Sequence, residues 1–197
     1  MPLFAVTAAI ALQVAFAPIS SPVSDATPDE RPRWNTPLIH SLALLSGMRA
    51  AETYLYPHPF GETREFGRHY LEAYTKPPLF DASEKPFQWD HDPWTINVFG
   101  HGLYGSEIYL RARSCRFDVL SALAFTTVAS IAWEYGFEAN GVRPSVLDLI
   151  YTPIAGLILG EARHWLWKRA GTFTSPFLRD VVRAVVDPVG EISSSCR

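Results

Sequence analysis

Two apolar stretches without a single charged residue constrain the fold more than any other feature. They cover 119–133 and 149–160, which are 15 and 12 residues long. No stretch of useful length in the chain alternates apolar and polar residues as a half-buried strand would. Both stretches are therefore expected to be helices whose surface is mostly covered. The chain is predicted to be all-α, a compact bundle of short apolar helices.

End signals and apolar spacing place the helices along the chain. Thr36 is the predicted N-cap and Pro37 the first helical residue of a helix over 36–50, which packs across the bundle. The stretch 57–93, rich in proline and aromatic residues, is predicted to be a loop packed over the helices, with one short helix of its own. The bundle itself consists of three helices in close order, over about 95–113, 118–139 and 145–168.

The chain is expected to divide into four segments. The tripeptide Ala15-Phe16-Ala17 has the small-x-small form of a signal-peptidase site and favours export, although no Lys or Arg precedes the apolar run before it. An uncleaved membrane anchor is the alternative. The four segments are a signal peptide or apolar anchor at 1–17, a disordered linker at 18–35, the helical domain at 36–170, and an amphipathic segment and tail at 171–197.

The charge of the chain argues against nucleic acid as a partner. The net charge is -3, charged residues make up 19% of the chain, and Lys and Arg are scattered, so no nucleic-acid-binding surface is expected.

Cys115 and Cys196 could form a disulfide in an oxidising compartment or remain two free thiols, and their spacing does not decide between these states.

The relation of the bundle to a membrane has two interpretations. A bilayer span needs about twenty predominantly apolar residues, so both apolar stretches are short. Flanking aromatic residues could extend them into a thin or tilted span, whereas a soluble bundle would bury them in its centre. Gly156 and Gly160, four residues apart in an apolar helix, favour membrane association. With Gly105, they are predicted to allow close helix packing.

A row of residues in "NVFGHGLYGSEIYLRAR" is the first candidate for a chemical site. In a helix, Asn97, His101, Gly105 and Tyr109 lie on one face, because they are four residues apart. His101 could be a core histidine bonded to a carboxylate, a metal ligand or a general base. Since no second histidine follows three or four residues later, the structural role is favoured, and no cofactor or metal ligand set is assigned.

Three acidic residues fall on the next two helices. Glu134 and Glu138 share a helix face, where two close carboxylates could hold a proton or share a metal ion. The simpler interpretation is that Glu134 bonds a neighbouring helix while Glu138 is solvated. Asp148 follows Ser145 at the spacing of a capping box, which would account for Asp148 without any chemistry.

Consecutive helices with short connections should be antiparallel neighbours, which brings the polar residues together. Arg111, Arg113 and Arg143 are predicted to be counter-charges for the buried acids, and Glu161 to pair with Arg163 or with an arginine of another helix. The predicted binding set consists of Arg111, Glu138, Arg143 and Glu161. An arginine is also expected beside the central group. That group, which holds the catalytic candidates if the protein is an enzyme, consists of His101, Glu134 and Asp148.

The chain resembles a bacterial family defined by domain of unknown function 3943. The matching pieces are "WTINVFGHGLYGSEIYLRAR", "WEYGFEANGVRPSVLDLIYTPIAGLILGE" and, more loosely, "VVDPVGE", with the main resemblance over about 94–161. The resemblance implies a helical, exported or membrane-associated envelope protein of Gram-negative-type bacteria. It brings no established activity, so no catalytic residue is carried over from it.

A fainter similarity is to VanZ-like small membrane proteins. It would imply an integral membrane bundle with a polar pocket, although the helices here are shorter and the middle loop longer. The residues that carry it, in order, are His101, Glu134, Arg143, Asp148, Gly156 and Gly160.

Two functions are compatible with these patterns. The first is an exported or membrane-associated envelope protein on the periplasmic side, with a structural or binding role for its buried polar network. It would contact a membrane, and a protein partner or a second copy of the chain is compatible with it. The second is a membrane-associated hydrolase, metal-dependent or acid–base, that uses His101 and Glu134 on a lipid-like substrate. The first is favoured, because the sequence offers no separate nucleophile.

Overall fold

The structure is a computed structural model that describes residues 31–192 and Cys196. The predicted signal or anchor segment at 1–17 and the linker residues 18–30 lie outside the described residues. Within the described residues no strand is present, and the backbone is mostly helical with a single isolated bridge between Leu79 and Ser145. The prediction of an all-α bundle is confirmed.

Eight α-helices follow one another along the described residues. A five-residue π-helical turn, Ile96–Gly100, leads into the fourth helix, and another, Trp133–Phe137, extends the fifth. A 3₁₀ turn at Thr63–Glu65 precedes the third. The three predicted central helices are thus present. The helices are α1 Asn35–Leu55, α2 Pro57–Phe60, α3 Phe66–Thr75, α4 His101–Ser114, α5 Val119–Ala132, α6 Val146–Ala170, α7 Pro176–Val186 and α8 Pro188–Ile192.

The start of α1 differs from the prediction that Thr36 is its N-cap. The helix begins at Asn35, and no side chain caps it. The Trp34 ring lies 4.5 Å from the ring of Phe117, and the Arg33 N–H donates to the carbonyl of Cys115 at 3.0 Å. Contacts with the bundle therefore fix where the chain enters α1, so no local capping residue is needed.

The closest contact in the bundle is the one between α4 and α6, and glycine makes it possible. A Cβ atom on Gly105 would lie 2.3 Å from the carbonyl oxygen of Thr152, and one on Gly156 would lie 2.8 Å from the carbonyl oxygen of Gly105. A Cβ on Gly160 would lie 2.5 Å from the Tyr109 ring. The structure thus places all three predicted packing glycines at this contact, where the two backbones touch directly.

α6 is the longest helix and carries much of the site. Its 25 residues run through Pro153 as one helix. The side chain of Ser145 caps its first turn. None of the helices in the described part of the chain is both long enough and apolar enough to cross a membrane.

A disulfide closes the bundle near its C-terminal end. Cys115, which is fully buried after α4, is bonded to Cys196, and their Cα atoms are 4.9 Å apart. Buried neighbours of Cys115 include Tyr109, Phe117 and Ala122. The bond therefore joins the far end of the chain to the core at the turn between α4 and α5, and it decides the question that the cysteine spacing left open.

Candidate functional site

His101, Glu134 and Asp148 converge inside the bundle. One nitrogen or carboxylate oxygen of each lies within 4.8 Å of those of the other two, and all three residues are buried. His101 begins α4, Glu134 lies in the π-helical turn after α5, and Asp148 lies in the first turn of α6. The expectation that these residues lie near one another is confirmed. We call these three residues the acid cluster.

The His101 ring is held by α6. Its Nδ1 lies 2.9 Å from the Thr152 hydroxyl oxygen and 3.6 Å from Oδ1 of Asp148. Burial lowers the pKa of His101 to about 4, although the negative charge of Asp90 acts in the opposite direction. The imidazole is therefore neutral near pH 7, and its contact with Asp148 is not an ion pair.

Only one of the two carboxyl oxygens of Glu134 accepts a hydrogen bond. Its Oε2 accepts the Ser145 backbone N–H at 2.8 Å, whereas its Oε1 has no hydrogen-bond partner among the described residues. The side chain is 1% exposed. Burial, and after it the charges of Glu138 and Asp148, raise the pKa of Glu134 well above its ordinary value.

The capping box predicted at the start of α6 is only half formed, because Glu134 takes the place of the Asp148 side chain. Ser145 Oγ accepts the Asp148 N–H at 3.2 Å, as predicted, but the Ser145 N–H is taken by Glu134. The cap therefore does not account for the Asp148 carboxyl group. Its Oδ1 has no hydrogen-bond partner within the described part of the chain, and burial together with the charge of Asp90 raises the pKa of Asp148 to about 8.

Asp90, which lies in the loop before α4, was not among the predicted site residues. Its carboxylate accepts from the Asn97 amide at 2.7 Å and from the Ser145 hydroxyl at 2.6 Å. The signal was present in "QWDHDPW", where two aspartates lie between tryptophans in a loop predicted to pack on the bundle. Asp92, the second of them, has its pKa raised to about 6 by burial and by the charge of Asp90.

Glu138 is buried, which corrects the expectation that it is solvated. It is 8% exposed, and burial followed by the charges of Glu52 and Asp92 raises its pKa well above the ordinary value. Glu52 comes from α1, and Asp92 from the loop before α4. The sequence did not show that these two segments cover the end of the α5 extension.

The predicted counter-charges bind elsewhere. Arg111 donates to Glu107 at 2.9 Å and to Asp187 at 2.8 Å. Arg143 donates to the carbonyl of Pro77 at 3.3 Å. Among the described residues, no arginine or lysine forms an ion pair with any residue of the acid cluster. The expectation of an arginine beside it is therefore corrected.

Glu161 pairs with an arginine, as the sequence predicted. It accepts from Arg113 and from the Tyr109 hydroxyl, the latter at 2.7 Å. This pair lies at the far end of the α4–α6 contact and is separate from the acid cluster.

A small apolar groove lies along the first turns of α6, and no residue of the acid cluster lines it. Two of its lining residues, Trp89 and Leu147, are the sequence neighbours of Asp90 and Asp148. Its volume is about 200 Å³. The groove is lined by Phe80, Trp89, Val146, Leu147, Ile150, Tyr151 and Ile154.

The site lies within a region that identifies the family. The domain of unknown function DUF3943 matches residues 86–189, which is more than half of the chain. The chain belongs to this family. No curated protein and no solved structure matches the chain. The similarity to VanZ-like proteins is not supported by these comparisons. The DUF3943 region contains the whole acid cluster and assigns no activity to it.

Proposed function

We propose that this DUF3943 protein works in the cell envelope, on the periplasmic side and in contact with a membrane, where its buried polar network has a binding or structural role. The observation that carries the location is the disulfide between Cys115 and Cys196. Structural disulfides persist in oxidising compartments and are rare in the cytoplasm of most organisms. The predicted export signal agrees with this location.

Exposed apolar residues on α4 and α6 support contact with a membrane. Leu103 and Ile158 are each 63% exposed. The two helices touch, so the exposed residues lie on neighbouring elements, and clustered apolar exposure marks surfaces that bind a membrane or a partner. The others on these two helices and the turn before α4 include Ile96, Phe99, Ile150 and Ile154.

The closed acid cluster supports a binding or structural role over catalysis. Glu134 and Asp148 are each 1% exposed, and the Thr152 hydroxyl beside His101 belongs to a fully buried residue. A substrate would have to reach these groups through packed helices. A small ion or a proton needs no such path.

A membrane-associated hydrolase remains the second candidate, and the apolar groove favours it. The groove could hold one hydrocarbon chain of a lipid-like substrate, and His101 and Glu134 would be the reacting residues once the packing between them and the groove opens. Purified protein should then hydrolyse a long-chain fluorogenic ester, with activity lost in Glu134→Gln. No hydrolysis by the native protein, with and without added divalent metal, would remove this candidate.

Cell fractionation combined with thiol labelling tests the location. A tagged full-length copy is expressed in a Gram-negative host, and each fraction is denatured and treated with a maleimide polymer before and after reduction. We expect the protein in the membrane fraction with no reactive thiol until reduction, and with two afterwards. The control variant Cys196→Ser should show one reactive thiol without reduction. Full-length protein in the soluble cytosol with two free thiols would overturn the proposal.

A further inference from the structure

We propose that His101, Glu134 and Asp148 together bind one divalent transition-metal ion, with Zn²⁺ as the best-matched ion. The inference deepens the binding role proposed above and rests on it, but it does not depend on where in the cell the protein works. The site is built from three separate elements: α4, the extension of α5 and the first turn of α6.

Two buried carboxyl oxygens of the acid cluster lack a hydrogen bond. Glu134 Oε1 and Asp148 Oδ1 belong to residues that are 1% exposed, and neither has a hydrogen-bond partner among the described residues. Unsatisfied buried carboxyl oxygens are costly, and native proteins normally pair them or use them to coordinate metals. Since both oxygens belong to the acid cluster, one ion would satisfy them together.

The distances between the ligand atoms fit one ion after modest side-chain movements. Zinc binds nitrogen and oxygen ligands at about 2.0–2.2 Å in a tetrahedral arrangement, so its ligand atoms are about 3.3–3.6 Å apart. The ligand atoms of the acid cluster lie within 4.8 Å of one another, and Nδ1 of His101 is already 3.6 Å from Oδ1 of Asp148. Side-chain movements of up to about 1 Å would therefore complete the coordination.

The Ser145 N–H already orients one of the ligands. It holds Oε2 of Glu134 at 2.8 Å and leaves Oε1 without a hydrogen bond. Metal-binding side chains are commonly fixed by such outer contacts. The Thr152 hydroxyl contacts Nδ1 of His101 at 2.9 Å, but this nitrogen also lies 3.6 Å from Oδ1 of Asp148, so the hydroxyl would give it up to the ion.

Charge and donor chemistry select the class of ion. Two carboxylates balance a divalent charge, and the neutral form of a histidine ring supplies the nitrogen ligand. One nitrogen and two oxygens without a thiolate suit Zn²⁺ and Mn²⁺. Ca²⁺ takes six to eight oxygen ligands, and Mg²⁺ keeps several waters, so both fit this dry site less well.

The described part of the chain contains a second group with metal-ligand geometry, and it serves as a control. Asp81, Glu84 and His91 have ligand atoms within 4.8 Å of one another, but His91 and Glu84 are exposed and Asp81 is partly exposed. Exposed acids satisfy themselves with water, so this group carries no argument for a metal.

Metal analysis of the full purified chain tests the proposal. Protein stripped with a chelator is incubated with Zn²⁺, Mn²⁺, Mg²⁺ or Ca²⁺ alone, freed of unbound ion and analysed by mass spectrometry and thermal melting. We expect about one Zn²⁺ per chain and a Tm increase of about 5–10 °C at one hundred times Kd. Glu134→Gln should retain less than about a tenth of the ion.

Two matched variants and a spectrum keep the result interpretable. Glu138→Gln changes a buried glutamate on the same turn, and His91→Asn removes the histidine of the exposed group; both should keep the full equivalent of Zn²⁺. Co²⁺ bound to the native protein should give visible absorption bands, which reports ligation even where a variant folds poorly. A native chain that binds none of these ions, or a site that survives Glu134→Gln and is lost in His91→Asn, would overturn the proposal. Fractionation of the cell would be unaffected by either outcome.

Discussion

Helix α4 contributes residues to two polar clusters, and the carboxyl groups of these clusters have very different partners. In its middle, Glu107 accepts from Arg111 at 2.9 Å and from Arg163 at 2.7 Å, and it lies 3.2 Å from the ring of His40. We call these residues, with Asp187, the paired cluster. At the start of the same helix lies the acid cluster, where no cationic side chain of the described residues pairs with the carboxyl groups.

Burial alone does not decide the charge of a carboxyl group in this protein. Burial would raise the pKa of Glu107, but the side chains of His40, Arg163 and Arg111 beside it hold it well below its ordinary value. At Asp148, burial and the charge of Asp90 outweigh the hydrogen bond from Ser145 and raise the pKa to about 8. Glu107 is therefore ionised across the physiological range, whereas Asp148 holds a proton or needs an added cation.

This contrast indicates which of the two groups serves the fold and which serves a function. The paired cluster links α4, α6 and the segment around Asp187, and its charges are compensated, although Nε of Arg111 and Nε2 of His40 are buried without a hydrogen-bond partner among the described residues. In the acid cluster, two buried carboxyl oxygens have no hydrogen-bond partner among the described residues, which lowers the stability of the fold. Natural proteins keep such costs mainly at functional sites.

The largest expected effect comes from breaking the paired cluster. Arg111→Met removes the cation shared by Glu107 and Asp187, so the free energy of unfolding should fall by about 3–5 kcal/mol. Arg113→Met breaks the ion pair with Glu161, which is more exposed than the pair between Arg111 and Asp187. It should lower the free energy of unfolding by about 1 kcal/mol or less. Urea denaturation of both variants measures the difference. Equal losses would show that the paired cluster is not a structural support.

The next effect tests the glycine contact that holds the two clusters on adjoining helices. Gly156→Leu places a side chain where a Cβ alone would be 2.8 Å from the carbonyl oxygen of Gly105, and should cost about 1–3 kcal/mol or more. Gly47→Ala in α1, where no atom lies within 4 Å, should instead stabilise the chain by about 0.5–1 kcal/mol. A Gly156→Leu variant that melts like its parent would refute the packing role.

The pH dependence of stability should separate the clusters. The folded pKa of Asp148 is raised to about 8, so between about pH 4 and 8 the folded metal-free chain binds more protons than the unfolded chain. Its free energy of unfolding should therefore fall as pH rises in this range, by on the order of 1 kcal/mol per pH unit. The lowered pKa of Glu107 gives stability that is lost only as pH falls below the unfolded pKa of about 4.3.

Denaturant titrations at several pH values measure this slope. Asp148→Asn should flatten it, since the amide cannot ionise, and saturating Zn²⁺ should flatten it as well if the ion binds at the acid cluster. A slope that is unchanged in Asp148→Asn would place its origin elsewhere.

The smallest expected effect distinguishes the cap of α6 from the site beside it. Ser145→Ala removes the hydroxyl that caps α6 and donates to Asp90, and should cost about 1–2 kcal/mol. The Ser145 N–H that holds Glu134 is part of the backbone and remains, so metal binding should persist. Ser175→Ala, the exposed cap of α7, should cost about 0.5–1 kcal/mol. Loss of metal in Ser145→Ala would show that the hydroxyl orients the site.

Local patterns were enough to predict the helices and the convergence of the acid cluster. Apolar spacing predicted α4, α5 and α6, and short connections made them neighbours, which brought His101, Glu134 and Asp148 together. The small residues that allow the closest contact were also recognisable from their spacing.

The remaining parts of the site depend on tertiary contacts that no local pattern specifies. Asp90 lies on an irregular loop, whose path over the bundle has no sequence period. Arg111 meets Asp187, which is 76 residues further along the chain, so its choice of partner depends on where the segment after α7 docks. Thr152 could have been found, because it follows Asp148 by four residues on an otherwise apolar helix.

The disulfide also determines how the molecule would carry mechanical load. The N–H of Arg33 bonds to the carbonyl of Cys115, and Cys196 is bonded to the sulfur of that same residue, 81 positions earlier. Tension between the two ends would follow the covalent path through residues 33–115 and then cross the disulfide. The loop that contains Glu134 and Asp148 would carry no tension, whereas His101 lies on the loaded path. Reduction of the disulfide would bring all three ligand residues into the line of force.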